Sequence, residues 1–492
     1  MNEKIQSLRE SKAARWTALL LLSFAMFCSY IFMDILSPIK DLMESTRGWD
    51  STAFGTYAGS ETFLNVFIFF LIFAGIILDK MGVRFTAILS GLVMLVGAMI
   101  NWYAVTEAFQ SSNLAVWFTN HLNYIPIFDE LGVSPFYEGM PASAKFASVG
   151  FMVFGCGVEM AGITVSRGIV KWFKGKEMAL AMGSEMALAR LGVATCMIFS
   201  PLIARADILG GADVSHSVAF GVILLMIALI MFIVYFFMDK KLDAQTGESE
   251  EKDEPFKVRD IGKILSSGGF WLVALLCVLY YSAIFPFQKY AVNMLQCNLT
   301  FTEAQGFWAG NSVTFVQYGI MLIVAATAFV SNFSKGTKKI VLLITSIIFL
   351  ITFCYMGYMR QSAETIFAVF PLLAVGITPI LGKYVDTKGK AASMLMIGSI
   401  LLIVCHLTFA FILPLFQGNA IGGVVISYIT ILVLGASFSL VPASLWPSVP
   451  KLVDSKVIGS AYALVTLDTI SGNPLGNIYR YTTFFILRCS GR

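Results

Sequence analysis

Apolar runs of roughly 20 residues, the length an α-helix needs to cross about 30 Å of hydrocarbon, follow one another along nearly the whole chain. Spans are expected near 16–36, 53–78, 87–105, 146–170, 178–203 and 217–238, then 269–293, 307–331, 339–358, 364–382, 391–414, 421–445 and 457 to about 487. Of 492 residues 57% are apolar and only 13% charged, and the mean hydropathy is +0.79, so the chain lacks the polar surface that would dissolve a globular core. Hydrocarbon offers no partner to a bare N–H or C=O, and runs of this kind can cross it only as helices. The expected fold is an all-α polytopic membrane protein.

Lysine and arginine are retained on the cytoplasmic side of a membrane. With the N-terminus placed inside, the inner segments hold 24: four in 1–15, Lys80 and Arg84, four in 167–176, six in 240–263, three in 335–339, three in 383–390, and Lys451 with Lys456. The outer segments hold five, Lys40, Arg47, Lys145, Arg205 and Arg360. The formal net charge of +4 therefore follows topology and gives no reason to expect nucleic acid as a partner. Met1–Arg15 has no short apolar core ending in a cleavage site, so the first span is expected to stay as an anchor. Residues 239–268, around Glu248-Ser-Glu-Glu-Lys-Asp-Glu254, read as a solvated tether between an N-terminal six-helix bundle, 1–238, and a C-terminal bundle, 269–492. The outer loop 106–145 carries Trp117, Phe118, Tyr124, Phe128, Phe136 and Tyr137, expected at the membrane interface or over the mouth, although a partner surface would look the same.

One turn occurs twice, 307 positions apart (386 − 79): Gly75-Ile-Ile-Leu-Asp79-Lys80-Met-Gly82-Val-Arg84 and Gly382-Lys-Tyr-Val-Asp386-Thr-Lys-Gly389-Lys390. Each follows an apolar helix. Glycine admits close helix approach, and the acid can lock onto a helix end or a basic side chain. Its appearance in both halves points to a duplicated transporter. The pattern resembles the signature loop of the major facilitator superfamily, in which Gly75, Asp79, Gly82, Arg84, Gly382, Asp386, Gly389 and Lys390 would take part in conformational gating.

Ionisable residues deep inside spans are costly and are therefore candidates for function. Glu159 lies near the middle of the fourth span and Arg190 near the middle of the fifth. An acid and an arginine on neighbouring helices can neutralise each other, or hold the two ends of a zwitterion, the carboxylate accepting from an ammonium and the guanidinium gripping a carboxylate with two parallel hydrogen bonds. Asp34, Glu61, Glu185 and Lys289 sit less deeply or beside Arg190, and snorkelling accounts for most of them. Tyr280, Tyr281, Phe285, Pro286 and Phe287 combine amphipathic rings with a proline that breaks the helical ladder, and Ser444-Leu-Trp446-Pro447 does similar work, with core packing an equal alternative for each ring. Eight cysteines and three histidines show no metal-ligand or redox spacing, so no metal or cofactor is expected.

Glu159, Lys171-Trp-Phe-Lys-Gly-Lys-Glu177, Ala189-Arg190-Leu-Gly192 and Tyr280-Tyr281-x-x-x-Phe285-Pro-Phe287 fall in an order that resembles the lysosomal dipeptide transporter family of that superfamily. Leu445-Trp446-Pro447 and Gly459-Ser-Ala-Tyr462 extend the likeness over most of 16–465. The resemblance implies a twelve-helix core of two six-helix halves that moves short peptides by alternating access without ATP. It places Glu159 at the peptide ammonium, Arg190 at the peptide carboxylate, and Tyr280, Tyr281 and Trp446 around the substrate. There are departures. Phe151 stands where the superfamily often has an arginine, which weakens any claim of proton coupling. Residues 307–358 read as a helical hairpin inserted before the eighth core helix, joined by the turn Lys335-Gly-Thr-Lys338-Lys339. After about Leu464 the likeness stops, and Asp468, Gly472, Asn473, Pro474 and Arg480 interrupt the last span, so the C-terminus reads as truncated or frameshifted.

The expected function is secondary transport of small zwitterions, short peptides by resemblance, by a monomer in the bilayer. Another small organic anion or amino acid, or a non-transporting membrane sensor or subunit, is the alternative. An enzyme would need converging nucleophile, base or metal ligands, which the sequence does not offer. With no lysosomal sorting tail in sight, a bacterial inner membrane with a cytoplasmic N-terminus is the expected location. If the span list is right, cysteines introduced at Gly82 and Gly389 will react with an impermeant reagent from one and the same side of the membrane; reaction from opposite sides would overturn it.

Overall fold

In the computed structural model, residues 8–130, 134–174, 176–246, 266, 268–299, 301, 304–388 and 390–445 are described. Twelve long helices run through them: α1 Lys12–Met33, α2 Ser51–Phe67, α3 Phe70–Ala104, α4 Ala142–Phe173, α5 Met178–Ala204, α6 Val214–Thr246, α7 Gly268–Asn298, α8 Asn311–Ser331, α9 Gly336–Met359, α10 Ala363–Lys388, α11 Ala391–Leu407 and α12 Ala420–Leu445. Among the described residues eleven segments are long and apolar enough to cross a membrane, or twelve if the bent pair Ser51–Phe67 and Phe70–Leu78 forms one span. No strand occurs among them. The expected span 457–487, Trp446, most of the tether and the C-terminal stretch expected to be truncated or frameshifted lie outside the described residues.

The helix starts follow local chemistry. The Ser11 hydroxyl accepts from the Ala14 N–H at 3.4 Å, and the Asp50 carboxylate accepts from the Ala53 N–H at 2.7 Å, each satisfying an orphan donor of a first turn. Two features depart from the expected spans. The second span is not continuous: it bends by 62° after Phe67, where Phe69 takes a left-handed conformation (φ 56°, ψ 34°) with no Gly or Pro to announce it. The first of the repeated turns is a kink rather than a loop. Gly82, at φ 80° and ψ 168°, redirects α3 in a conformation that side chains disfavour. The second turn begins late, since α10 continues to Lys388 and Lys390 caps α11, while Gly389 lies outside the described residues. Pro286 leaves α7 continuous rather than broken.

Two hydrophobic cores organise the helices. One gathers buried residues from Ala18 to Leu242 together with Tyr290 of α7, and the other gathers residues from Ala187 to Leu445. Helix α5 serves both, giving Ala181, Ala189 and Cys196 to the first and Ala187, Val193, Ala194 and Met197 to the second. In the first core α3 packs on α4 and α6, and α1 on α5 and α6; in the second α10 packs on α12 and α5, and α11 on α12. Helix α8 rests against α10, where the Asn332 amide reaches the Gly376 carbonyl at 3.4 Å, and touches α5 through Tyr318, 4.6 Å from Phe199 between ring centres. Only Ser346, Phe353, Met356 and Gly357 of α9 are buried, as suits a helix with one face toward lipid.

The outer loop is more ordered than expected. Phe109, Ala115 and Phe118 form a small core of their own, and the buried Lys145 ammonium donates to the carbonyls of Phe118 and His121 and to Asn123 Oδ1 at 2.7 Å. Phe128 and Phe136 turn inward, the former onto Phe63, leaving Trp117 and Tyr124 exposed.

At the opposite end, the Lys171–Glu177 run ties the bundle together. Asp239 of α6 is fully buried; its carboxylate lies 2.6 Å from Lys171 Nζ and accepts from Trp172 Nε1 at 2.8 Å and from the Tyr235 hydroxyl at 3.2 Å. Arg84, two residues past the Gly82 kink, reaches Asp243 at 3.0 Å and stands 4.0 Å from Asp239. Arg15 of α1 bonds Glu177 at 3.3 Å, and Lys176, 2.9 Å from Glu10, holds that carboxyl below its ordinary range. A buried acid shared by two cations is costly to lose, so Asp239→Asn should destabilise the protein by about 3 to 5 kcal/mol. The check is a lower apparent Tm in detergent, with the exposed Lys240→Gln leaving Tm unchanged.

Candidate functional site

Helices α2 and α4 run side by side in constant register. The Trp49 indole donates to Ser143 Oγ at 2.9 Å, Tyr57 stacks on Phe151 at 4.5 Å, and Gly155 lies against the backbone of Glu61 so closely that a Cβ there would strike the Glu61 carbonyl. Each pair is separated by 94 positions (143 − 49), and both helices therefore run in the same direction. The same offset sets Glu159, one turn past Gly155, beside Asn65, one turn past Glu61. Tyr30 of α1 feels the charges of Glu61, Glu159, Glu185 and Arg190, so all four lie in its electrostatic neighbourhood.

Arg190 sits on the helix that both cores share. Its guanidinium lies over the Phe438 ring of α12, part of the second core, at 4.4 Å and over Tyr30 of α1, which packs against both cores, at 5.4 Å. Among the described residues Arg190 makes no ion pair with Glu159, so the two do not cancel each other. The neighbour of Phe438, Ser437, bonds the Tyr280 hydroxyl at 3.2 Å and donates to the Gly398 carbonyl at 2.7 Å. Tyr280 and Tyr281 are buried in the second core, the latter stacked on Phe285 at 5.2 Å. The structure thus brings Arg190, Phe438, Ser437 and Tyr280 into one chain of contacts. Asp79, Gly382 and Asp386 lie on α3 and α10, and their side chains are outside the description.

A second charged group, which the sequence suggests is snorkelling, proves to be built. Asp34, fully buried, ends α1, and Lys289 and Gln288 lie on α7. Lys289 Nζ donates to Asp34 Oδ1 at 2.8 Å and to the Met33 carbonyl at 2.6 Å, the Gln288 amide donates to the other Asp34 oxygen, and Glu61 Oε2 stands 4.0 Å from the same ammonium. Tyr290 adds a hydrogen bond to the Ser51 carbonyl at 2.6 Å. This clasp joins the first helix of one half to the first helix of the other, at the end expected to face outward. The signal the sequence offers for it is an acid and a base at matching positions, late in spans one and seven. With Glu159, Glu185 and Arg190, the seam collects four carboxylates and two cations. Among the described residues no group of histidine, cysteine, aspartate and glutamate is arranged to hold a metal.

The family described as the Major Facilitator Superfamily matches residues 22–363. The lysosomal dipeptide transporter MFSD1 of Bos taurus is 22% identical over 460 residues, 92% of this chain and 76% of its own length, and the Homo sapiens protein of that name gives the same figures. Among solved structures, a mutant of the nucleoside transporter NupG superimposes with a TM-score of 0.56 at 13% identity, covering 94% of this chain and 89% of its own. The inward open xylose transporter XylE from E. coli gives 0.52 at 11% identity, covering 96% and 90%.

Removing either charge of the clasp should loosen the outer end. In a background without native cysteines, Lys289→Met and Asp34→Asn should each raise several-fold the rate at which a cysteine at Ser51 is labelled from outside, whereas Lys40→Met, whose ion pair with Glu44 stays within the short helix Lys40–Arg47, should not. Equal rates in all three would reduce the clasp to packing.

Proposed function

We propose, from the premise that this chain belongs to the Major Facilitator Superfamily, that it is a secondary transporter of small zwitterions, short peptides foremost, working by alternating access. The observation that carries the reading is the separation of Glu159 and Arg190: two charges of opposite sign at mid-span, at the seam of two cores, not spent on each other. A zwitterion supplies what each lacks, an ammonium for the carboxylate and a carboxylate for the guanidinium. Four acids against two bases at the seam favour a ligand that brings an ammonium. The relatives named as dipeptide transporters support the peptide class.

In this reading the protein acts as a monomer in a bacterial inner membrane, with its N-terminus in the cytoplasm, as the lysine and arginine asymmetry favours. The boundaries 1–238, 239–268 and 269–492 divide it into two bundles that rock about the seam, with α8 and α9 as an added hairpin whose α8 packs into the second core and whose α9 lies on the lipid side. The kink at Gly82 and its counterpart around Gly382–Lys390 set the inner ends of the helices that move. The clasp of Asp34 and Lys289 closes the outer side, so the conformation is one that loads or releases inward. Tyr280 and Tyr281 furnish walls, and Trp446, outside the described residues, is assigned with them by the family resemblance alone. A sensor that binds peptides without cycling would keep Glu159 and Arg190; flux into sealed vesicles separates the two.

Losing one partner of a desolvated ionic contact weakens binding by about 2 to 5 kcal/mol, beyond a hundredfold in the upper part of that range. Glu159→Gln should penalise dipeptides with a free ammonium while sparing N-acetylated ones, and Arg190→Ala should penalise free carboxylates more than amidated ends. Binding of the four end-modified peptides to folded mutants is the measurement. Uniform loss across all four would defeat the reading.

A further inference from the structure

The polar residue at the level of Glu159 that nothing yet employs is Asn65. It is 0% exposed, and both atoms of its amide, Oδ1 and Nδ2, lack a hydrogen-bond partner. Exchanging the two ends of the amide leaves the same two deficits. A fully buried group that forgoes one donor bond and one acceptor bond costs more than an apolar residue of its shape would. Such a deficit inside a transporter points to a partner that comes and goes.

Its surroundings say where that partner would lie. Asn65 is one turn from Glu61, which stands 4.0 Å from Lys289 of α7, so this face of α2 turns toward the other half of the protein. The register with α4 sets it beside Glu159. It also occupies the last turn of α2, just before the 62° bend, and interrupted helices at membrane depth are where many transporters built from repeats place their substrates.

We infer that Asn65 reads the peptide bond of the substrate. A peptide group presents one N–H and one C=O, the complement of the two unpaired atoms of a carboxamide, and the two can bond as a cyclic pair. With the ammonium at Glu159, a peptide bond follows two carbon-chain bonds later and falls at a side chain of the same level on the adjacent helix. Arg190 then takes the far carboxylate. A free amino acid has both charged ends but no peptide group, and it leaves Asn65 unpaired. This residue therefore separates dipeptides from amino acids, which two charges alone do not.

The inference rests on the peptide reading above, and the experiment tells the two apart. The probes are Ala-Ala, its analogue methylated at the peptide nitrogen, and the ester analogue; the two analogues keep both charged ends and lose the N–H. Wild-type protein should bind both analogues about tenfold more weakly than Ala-Ala. Asn65→Leu should bind Ala-Ala about tenfold more weakly than wild type and treat the three probes alike, with Tm unchanged or raised, since the mutation removes a buried deficit. Asn65→Ala should behave in the same way should leucine disturb the packing. Unchanged discrimination in both variants would overturn the role of Asn65 and leave the peptide reading standing. Failure of wild-type protein to bind any of the three would overturn both.

Discussion

The constraint on which this structure depends is that hydrocarbon solvates no charge. An ion inside the bilayer must find a partner, a water-filled path or a ligand. The protein's ionisable groups sort themselves by that rule. Asp239 is surrounded by Lys171, Trp172, Tyr235 and Arg84 and serves as glue at one end. Asp34 is surrounded by Lys289 and Gln288 and joins the two halves at the other. Glu159 and Arg190, between these two knots, are left without each other, and that is what makes them a candidate site.

The repeated turn also gains a mechanical reason. Gly82 is needed because the chain is redirected there without a loop, in a backbone conformation that other residues resist. That kink delivers Arg84 to Asp243 and the neighbourhood of Asp239, so the glycine and the basic residue of the motif are two parts of one joint. The Lys171–Glu177 run supplies the rest of it from α4, and the bond between Arg15 and Glu177 carries it on to α1.

Much of the fold was legible in the sequence because the length of an apolar run is a direct measure of the bilayer. Helices appear at every expected span through Leu445, and the mid-span positions of Glu159 and Arg190 are enough to single them out. What escaped has a common cause: it depends on the partner, and the partner is distant in sequence. Asp34 and Lys289 look like residues reaching for the membrane surface, since their meeting spans 255 positions. The break after Phe67 has no Gly or Pro, so nothing local announces it. Asn65 is an ordinary polar residue until its lack of a partner is seen. The inward turn of Phe128 and Phe136 likewise requires the folded loop.

One consequence follows from α5, whose two faces belong to different cores. A ribosome delivers α5 long before α10 and α12 exist. Until they arrive, Ala187, Val193, Ala194 and Met197 have only lipid to rest against, and Arg190 lacks the Phe438 ring that later covers it. The first half of this protein is therefore born with an unfinished seam, and α5 must wait in the membrane, held by α1 and the knot around Glu177, as a docking strip for helices still to be synthesised.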